Sequence, residues 1–423
     1  MPINSKHPEF TTKHSVICKD AYNGNVLDYV PKLKGQTAQE YNDYRQRGVY
    51  FNATKKTLEG MIGAILRKPF QTDIEDVMTA DELSLHEFVS NQIKEISLSG
   101  RTGILVDWNE EYNSAILVPY THQNIINWRS DYSLVVLSEM IYEEDPKDPY
   151  ELEEVEQYRE LYLDEDGLYA VRVWRETGKN FTVVEEYQPT IRGERLKFIP
   201  FVCANAYDTT MNCYDPIILN MAQINISHFK SVVDVEHGTH FTALPTPVIS
   251  GDFANDVGSE ISIGSTTPWH LEEGASATYL EFSGSGLAAI EKRIASKEEQ
   301  MAAVGSKLLS EKGGVEAAES LRIRSAAESA TMVNIVNSVE SQMKQALDIY
   351  AMWMDQPPVT FEMSRDFTGS KLTAQEMTAL MQLYLNGTIS QETFLENLYD
   401  GEITQDVEEE IVRLNAVQPQ NVE

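Results

Sequence analysis

The sequence predicts an α+β fold that is mainly helical, with one antiparallel β region in its first half. Three observations support this prediction. Segments rich in β-branched and aromatic residues are concentrated between residues 104 and 202. On both sides of that region, apolar residues recur every three or four positions, which is the period of an amphipathic helix. One such run, over residues 316–354, would form a helix about 55–60 Å long, far longer than an average helix.

The first elements are expected to be helices. A helical stretch is predicted over residues 37–66, with a break at Gly48, and a second helix over residues 81–98. Two strands are predicted next, over residues 104–108 and 115–120, because both are rich in β-branched residues and a short polar segment separates them.

The region over residues 133–202 predicts a half-exposed antiparallel sheet. Its strand-like segments are LVVLSEMIY, QYRELYL, LYAVRVW and FTVVEEY, and the turn signal DEDG separates the second from the third. The acidic insert EEDPKDPYELEEVE, between the first two segments, is predicted to be a solvated loop.

The second half returns to a helical pattern. Asp215 and Pro216 are suited to the N-cap and first position of a helix that extends to residue 243. Its apolar residues lie on two faces, so it must be covered on two sides, either by neighbouring subunits or within one large core. A small β module is expected over residues 244–282, with strands PTPVIS, SEISIG and ATYLEF, and a helix over residues 286–309.

A glycine pair at 313–314 then precedes the long helix, which Pro357-Pro358 is expected to end. The following segment PVTFEM predicts a strand. Three short helices close the chain, with Ser390 and Thr404 as caps of the last two.

Charge and composition exclude several classes of protein. The formal net charge of −32 disfavours free binding to nucleic acid, because phosphates would be repelled. Three cysteines without a CxxC pair indicate neither a disulfide framework nor a thiolate zinc site. No segment is apolar over the length that a signal peptide or a membrane span needs, so a membrane partner is not expected.

The sequence predicts no catalytic, cofactor-binding or metal-binding residues. Phosphate-binding, dinucleotide-binding, zinc-protease and serine-hydrolase motifs are absent. His237 and His240 could share one helix face, but the spacing provides no third ligand. Between Lys230 and Lys292 there is no lysine or arginine, which indicates either a solvated acidic surface or a lining that must not bind polyanions. The acidic residues singled out there are Asp252, Asp256, Glu260, Glu272 and Glu273.

Several blocks of sequence, in order, resemble the portal (head-to-tail connector) proteins of tailed bacteriophages. The first-half blocks are YNDYRQRGVYFNATKKTLEGMIGAILRKPF and YTHQNIINWR. The second-half blocks are YDPIILNMAQINISHFKSVVDVEHGTHFTALPTPVISG, EEQMAAVGSKLL, AAESLRIRSAAESATMVNIVNSVESQMKQALDIYA and NGTISQETFLENLYDGEI. These blocks extend from about residue 40 to residue 400, and their common order is more specific than any one of them.

The resemblance implies a division of the chain into the parts of a portal subunit. The wing would be residues 1–214, the first stem helix 215–243, the clip 244–282 and the second stem helix 283–309. The tunnel loop would be residues 310–316, the long helix and a returning wing strand 317–365, and the helical C-terminal crown 366–423. The tunnel loop, expected to lie against DNA in the channel, comprises Ser310, Glu311, Lys312, Gly313, Gly314, Val315 and Glu316.

The resemblance also implies a function and a set of partners. The subunits would form a homo-oligomeric dodecamer at one capsid vertex of a virion assembled in the bacterial cytoplasm. Double-stranded DNA would pass through its channel during packaging and ejection. The terminase large subunit, a head-tail adaptor protein and the major capsid protein would dock on the ring. The alternatives are another virion structural protein or a soluble hydrolase that uses acidic residues.

Overall fold

The computed structural model describes residues 2–145, 148–178, 180–243, 246–250, 274, 276–280, 285–309, 318–367, 374–400, 403, 407 and 410–413. Over these ranges the chain is α+β, as predicted, and every pairing between its strands is antiparallel. No helix within them is both long enough and apolar enough to cross a membrane.

The elements follow one another in a simple order. The first part contains α1 (Lys13–Asn23), a 3-10 turn (Leu27–Tyr29), α2 (Ala38–Arg45), α3 (Ala53–Ile65), β1 (Gln71–Thr72) and α4 (Leu85–Ser99). The strand-rich part contains β2 (Arg101–Asn109), β3 (Ser114–Thr121), β4 (Ile125–Trp128), β5 (Leu134–Asp145), β6 (Asp148–Leu163), β7 (Tyr169–Thr177), β8 (Asn180–Tyr187), β9 (Thr190–Ile191), β10 (Glu194–Arg195) and β11 (Phe201–Asn205). The last part contains α5 (Leu219–Ala243), β12 (Thr246–Ser250), β13 (Ser276–Leu280), α6 (Ser285–Leu309), α7 (Ala318–Trp353), β14 (Phe361–Glu362), α8 (Ala374–Leu385) and α9 (Gln391–Asp400).

The N-terminal helices agree with the sequence prediction except at their ends. The helical stretch is broken between α2 and α3, as the glycine at position 48 indicated. At Gly48 a Cβ atom would lie 2.6 Å from Val233 Cγ2, so the chain breaks where α5 passes close to it. Helix α4 begins later than predicted, because Ser84 forms a reciprocal capping box with Glu87. Helix α1 was not predicted.

Two larger antiparallel sheets and the short β9–β10 hairpin occupy the middle of the chain. One of the two sheets has the strand order β11-β2-β3, and the other has the order β4-β5-β6-β7-β8. The predicted strand pair and the predicted half-exposed sheet are therefore both confirmed. Apolar residues from the facing strands, such as Leu105, Leu161 and Phe201, form a core of their own.

The acidic insert is exposed, but the prediction that it forms a loop is wrong. Strands β5 and β6 continue through it as a two-stranded ribbon, with Tyr142 opposite Glu154 and Glu144 opposite Leu152. The prediction failed because charge does not prevent backbone pairing when both faces of a ribbon are in solvent. The acidic arm is the name used below for residues 139–145 and 148–156.

The main core is built from helices α1, α3, α4, α5 and α7. It covers α5 on both of its apolar faces as far as Val233, through residues such as Ile218, Ala222 and Phe229. A single chain therefore accounts for the two-faced pattern over this part of the helix. Beyond Val233 the described side chains of α5 are half-buried or exposed.

The start of α5 also differs from the prediction. Asp215 is not its N-cap, because the helix begins at Leu219, after a turn in which the Leu219 N–H donates to the Pro216 carbonyl oxygen. The Asp215 carboxylate instead lies 2.6 Å from His14 Nδ1, a partner in α1. A tertiary contact has replaced the local capping interaction.

The N-terminal segment lies along the outer edge of β4. The His7 N–H donates to the Ile126 carbonyl oxygen at 2.9 Å, and the His7 ring stacks on Trp128 at 4.0 Å between centroids. The guanidinium of Arg101, which is fully buried, lies 4.1 Å from the centroid of the same indole. The buried His122 donates from Nε2 to the Thr11 carbonyl oxygen at 2.7 Å.

We expect acid to weaken this region through His122. Burial and the nearby Arg101 lower the pKa of His122 to about 4. In the unfolded chain the ring takes up a proton near pH 6.5, so the unfolded state binds more protons between pH 6.5 and pH 4, and stability falls across that window. His122→Gln retains a donor but does not titrate. The parent should therefore lose about 2 kcal/mol more unfolding free energy than His122→Gln between pH 7 and pH 4.

The measurement is urea denaturation of both proteins at several pH values. Between pH 7 and pH 8 the difference in stability between them should be constant, which provides the control. A difference that also stays constant down to pH 4 would contradict the assignment.

Candidate functional site: the helical pair α5–α6

The residues predicted for the tunnel loop and the acidic residues predicted for the clip lie outside the described residues. So does the predicted strand SEISIG. What the structure describes are the elements that flank them, namely α5, β12, β13, α6 and α7. These elements form the candidate site.

Helices α5 and α6 form an antiparallel pair, held at three levels. At the core end, a Cβ atom at Gly305 would lie 3.5 Å from the Met221 methyl carbon. Halfway along, Lys297 Nζ donates to the Ser227 carbonyl oxygen and to Ser231 Oγ, both at 2.7 Å.

At the far level of the pair, a Cβ atom at Gly238 would lie 2.5 Å from Leu287 Cδ2. A larger residue at this position would therefore force Leu287 to move. The glycine allows the two helices to stay close as they leave the core.

Helix α6 uses a single narrow face for this contact. Residues spaced three or four apart are partly or fully buried, while most residues between them are exposed. The buried and half-buried positions are Leu287, Ile290, Ile294, Lys297, Met301, Val304 and Gly305. The other side chains of α6 whose burial is described are exposed, and they are left for solvent or for another molecule.

The electrostatics of the pair follow from this partial burial. Tyr44 donates to Asp234 Oδ1 at 2.5 Å, and burial together with this carboxylate raises the pKa of the phenol. Burial and the nearby Arg293 lower the pKa of Lys297. His228 Nε2 lies 3.3 Å from Glu298 Oε1 across the pair. The pair is thus joined by polar as well as apolar contacts.

The two candidate metal-binding histidines lie near the far end of α5. The ring of His237 packs edge-on against Tyr44 at 4.8 Å, and burial and Arg47 lower the pKa of the imidazole. Over the described ranges, no three histidine, cysteine, aspartate or glutamate side chains lie together as metal ligands would.

Strands β12 and β13 lie at the far end of the pair. They are antiparallel, with Thr246 opposite Leu280 and Ser250 opposite Ser276. The predicted strands PTPVIS and ATYLEF are therefore confirmed. Ser250 Oγ and Ser276 Oγ lie 2.9 Å apart at the end of the ladder.

Asn225 joins α5 to the turn before α3, and the sequence reasoning missed it. Its buried Oδ1 accepts from Tyr50 Oη at 2.8 Å and from the N–H and hydroxyl of Thr54 at 3.0 Å. Its Nδ2 donates to the Phe51 carbonyl oxygen at 2.8 Å. The available signal was an asparagine placed between two isoleucines in a predicted helix.

Helix α7 confirms the predicted long helix to within two residues at its start. Its described buried residues pack against α4, β2, β3 and β11. Ser338 Oγ donates to the Asn205 carbonyl oxygen at 2.6 Å, and Gln342 Nε2 donates to the Val202 carbonyl oxygen at 3.1 Å. The helix ends at Trp353, before the proline pair, where Asp355 has a φ of +58°. The predicted strand after it is confirmed as β14, which pairs with β1.

Comparison with known proteins gives a family match and similar solved structures. Residues 217–354 match a family described as "Domain of unknown function (DUF4055)", which covers about one third of the chain. No curated protein matches the chain in sequence. The chain is similar to one in the solved structure "Virion of native gene transfer agent (GTA) particle", with 12% identity, 90% of this chain and 97% of the other covered, and a TM-score of 0.42. It is also similar to one in "Neck of empty GTA particle computed with C6 symmetry", with 13% identity, coverage of 86% and 93%, and a TM-score of 0.40.

The family match starts two residues before α5 and ends one residue after α7. The matched family therefore spans the helical pair, the β12–β13 ladder and the long helix together.

Proposed function

We propose that this chain is the subunit of a phage portal: a dodecameric ring at one capsid vertex through which DNA is packaged and ejected. The observation that carries the proposal is the arrangement of α5, β12, β13, α6 and α7. An antiparallel helical pair leaves the core, bears a two-stranded ladder at its far end, and is followed by a helix of about 54 Å that returns through the core. This is the order of stem, clip, stem and long helix that the portal resemblance implies.

The exposed surface of α6 supports assembly into a ring. Small residues lie on its outer side, and they allow helices of neighbouring subunits to approach closely. These exposed residues are Ala288, Ala289, Ala295, Ala302 and Ala303. The part of α5 beyond Val233 is likewise only partly covered by its own chain. In the ring, both surfaces would be buried between subunits.

The charge supports a channel that does not hold DNA. Twelve copies of a subunit with a net charge of −32 give a ring with a net charge of about −380. Its walls would repel phosphates and leave the duplex free to slide. In this proposal residues 310–316 line the narrowest part, and Lys312 touches phosphates without retaining them.

The proposal assigns roles to the partners as well. The terminase large subunit, which would hydrolyse ATP, docks on the clip over residues 244–282, and a head-tail adaptor takes its place later. The major capsid protein surrounds the wing. The ring itself has no catalytic activity. The competing functions are another virion structural protein and a soluble hydrolase that uses acidic residues.

Electron microscopy of the purified protein, together with its mass in solution, tests the proposal. We expect rings with a central channel and a mass near that of a dodecamer. Ala295→Glu with Ala302→Glu places charge on the outer side of α6, and this variant should stay folded by circular dichroism but fail to form rings. Ala80→Glu, an exposed alanine away from α6, is the matched control and should form rings.

A parent protein that stays monomeric at high concentration would overturn the portal proposal. Hydrolysis of ATP by the protein alone would favour the enzyme instead. An open shell-like assembly without a channel would favour another virion structural protein.

A further inference from the structure

The acidic arm projects beyond the sheet from which it comes. The pairing of β6 with β7 starts at Gln157, and the pairing of β4 with β5 stops at Leu137. From Glu139 to Asp145 on one strand, only β6 pairs with β5 in the part of the chain that is described. The arm is therefore a two-stranded ribbon about 20 Å long. Such a ribbon is at best marginally stable by itself in water.

The two faces of the arm differ. Residues directly opposite each other share a face, and so do alternate residues along a strand. Met140, Tyr142 and Leu152 therefore lie on one face, and Tyr150 follows near the tip of the arm, past an irregularity in the β5–β6 register. Their exposed fractions are 53%, 62%, 57% and 96%. Met140, Tyr142 and Leu152 thus form an exposed apolar strip on one side of the arm, with Tyr150 exposed near its tip, while Ile141 and Val155, on the other side, are half-buried.

The arm is strongly acidic, and its strand pairing places carboxylates opposite each other. Glu143 lies directly opposite Glu153, and like charges in opposed positions destabilise a strand pair. Arg175 Nη1 donates to Glu143 Oε1 at 2.7 Å and Arg159 Nε donates to Glu139 Oε1 at 2.8 Å, so the chain itself compensates these two carboxylates of the arm. The acidic residues of the arm are Glu139, Glu143, Glu144, Asp145, Asp148, Glu151, Glu153, Glu154 and Glu156. Cations supplied by another molecule would relieve the remaining repulsion.

We propose that the acidic arm is a docking element for a partner protein whose surface carries an apolar strip flanked by lysines or arginines. The strip of Met140, Tyr142 and Leu152, together with the exposed Tyr150 near the tip, would be covered by the partner's apolar residues. Glu144, Glu154 and Glu156, on the same face, would pair with its cations. A second copy of the arm is the wrong partner, because its acidic residues would lie against those of the first. Nucleic acid is also repelled, because its phosphates carry the same sign of charge. The inference does not depend on the proposed ring.

The test uses a defined probe and the full chain. The probe is a fluorescein-labelled peptide of alternating leucine and lysine, (Leu-Lys)4, which as a strand has one apolar and one basic face. We expect it to bind the parent, measured by fluorescence polarisation, and to bind more weakly as salt is added. Tyr142→Ser with Leu152→Ser, and separately Glu144→Lys with Glu154→Lys, should each weaken binding at least tenfold.

Two controls distinguish docking at the arm from nonspecific binding of the peptide. Val183→Ser with Val184→Ser changes exposed apolar residues on β8 and should leave binding unchanged. A (Leu-Glu)4 peptide should not bind. If a double variant of the arm unfolds, Tyr150→Ser at the most exposed position provides the same comparison.

Three results would overturn the proposal. The first is equal binding of both peptides, and the second is equal weakening by the β8 variant. The third is a change in oligomeric state, seen by sedimentation, when Tyr142 and Leu152 are replaced, since that would make another copy of the chain the occupant.

Discussion

Gly100→Ala is expected to lower the free energy of unfolding by about 3–5 kcal/mol. Gly100 ends α4 with a φ of +82°, and its N–H donates to the Ile96 carbonyl oxygen at 2.8 Å. A Cβ atom there would lie 2.0 Å from the carbonyl oxygen of Tyr214, which is backbone and cannot rotate away. The segment that leads into α5 would have to move off the end of α4.

A matched control separates the close contact from the backbone strain. Gly167 has a similar φ of +74° in a turn, but no atom lies within 4 Å of its Cβ position. Gly167→Ala should therefore cost only the left-handed conformation, about 1 kcal/mol. Urea denaturation followed by tryptophan fluorescence gives both values. A cost for Gly100→Ala no larger than that of Gly167→Ala would show that the end of α4 and residue 214 are not held together as described.

Replacing Glu311 and Glu316 with lysine is expected to impair DNA packaging or retention strongly while leaving rings intact. The change is four charges per subunit, or about 48 around a dodecamer, at the position proposed for the channel constriction. A wall that repelled phosphates would then hold them. Packaged DNA per particle, protected from nuclease, is the quantity to measure.

The control variant makes the same change of charge per subunit in the turn between β2 and β3, away from the proposed channel. Glu110 and Glu111 are exposed in the turn between β2 and β3, and their replacement by lysine should leave packaging near the parent level. Normal packaging by the Glu311 and Glu316 variant would mean that these residues lie away from the DNA. Loss of ring assembly would mean that the segment holds subunits together instead.

Local sequence patterns were sufficient for several elements that bury one face. The apolar residues of α4 recur with a helical period, so the helix was predicted, but its start was misplaced because the capping box of Ser84 and Glu87 was overlooked. Strands β2 and β3 were likewise predicted from their β-branched runs. In these elements the local preference and the tertiary packing agree.

Elements that depend on distant partners could not be predicted in this way. Helix α1 has only eleven residues, and Cys18 and Tyr22 are buried because α4 and α5 pack against it. Asp215 has the chemistry of an N-cap, but His14 is its partner in the folded chain. Asn225 bonds to residues more than 170 positions earlier in the sequence. Patterns within a short stretch of sequence do not indicate contacts between residues so far apart in the chain.

The acidic arm shows a different limit. Its charge density resembles that of a solvated loop, and its alternation of tyrosine, leucine and glutamate is interrupted by prolines. The strands form because the β5–β6 ladder simply continues outward from the sheet, one residue pair at a time.

The way in which α5 and α6 are joined decides how the pair carries force. A pull along its axis is shared by two parallel load paths, and it must shear the contacts of Lys297 with Ser227 and Ser231 before the helices slide. A sideways pull that separates the helices at their far end would break the β12–β13 hydrogen bonds one residue pair at a time. The pair should therefore resist force along its axis more strongly than force across it. A molecule that pushes or pulls on its far end would displace it less along the axis than sideways.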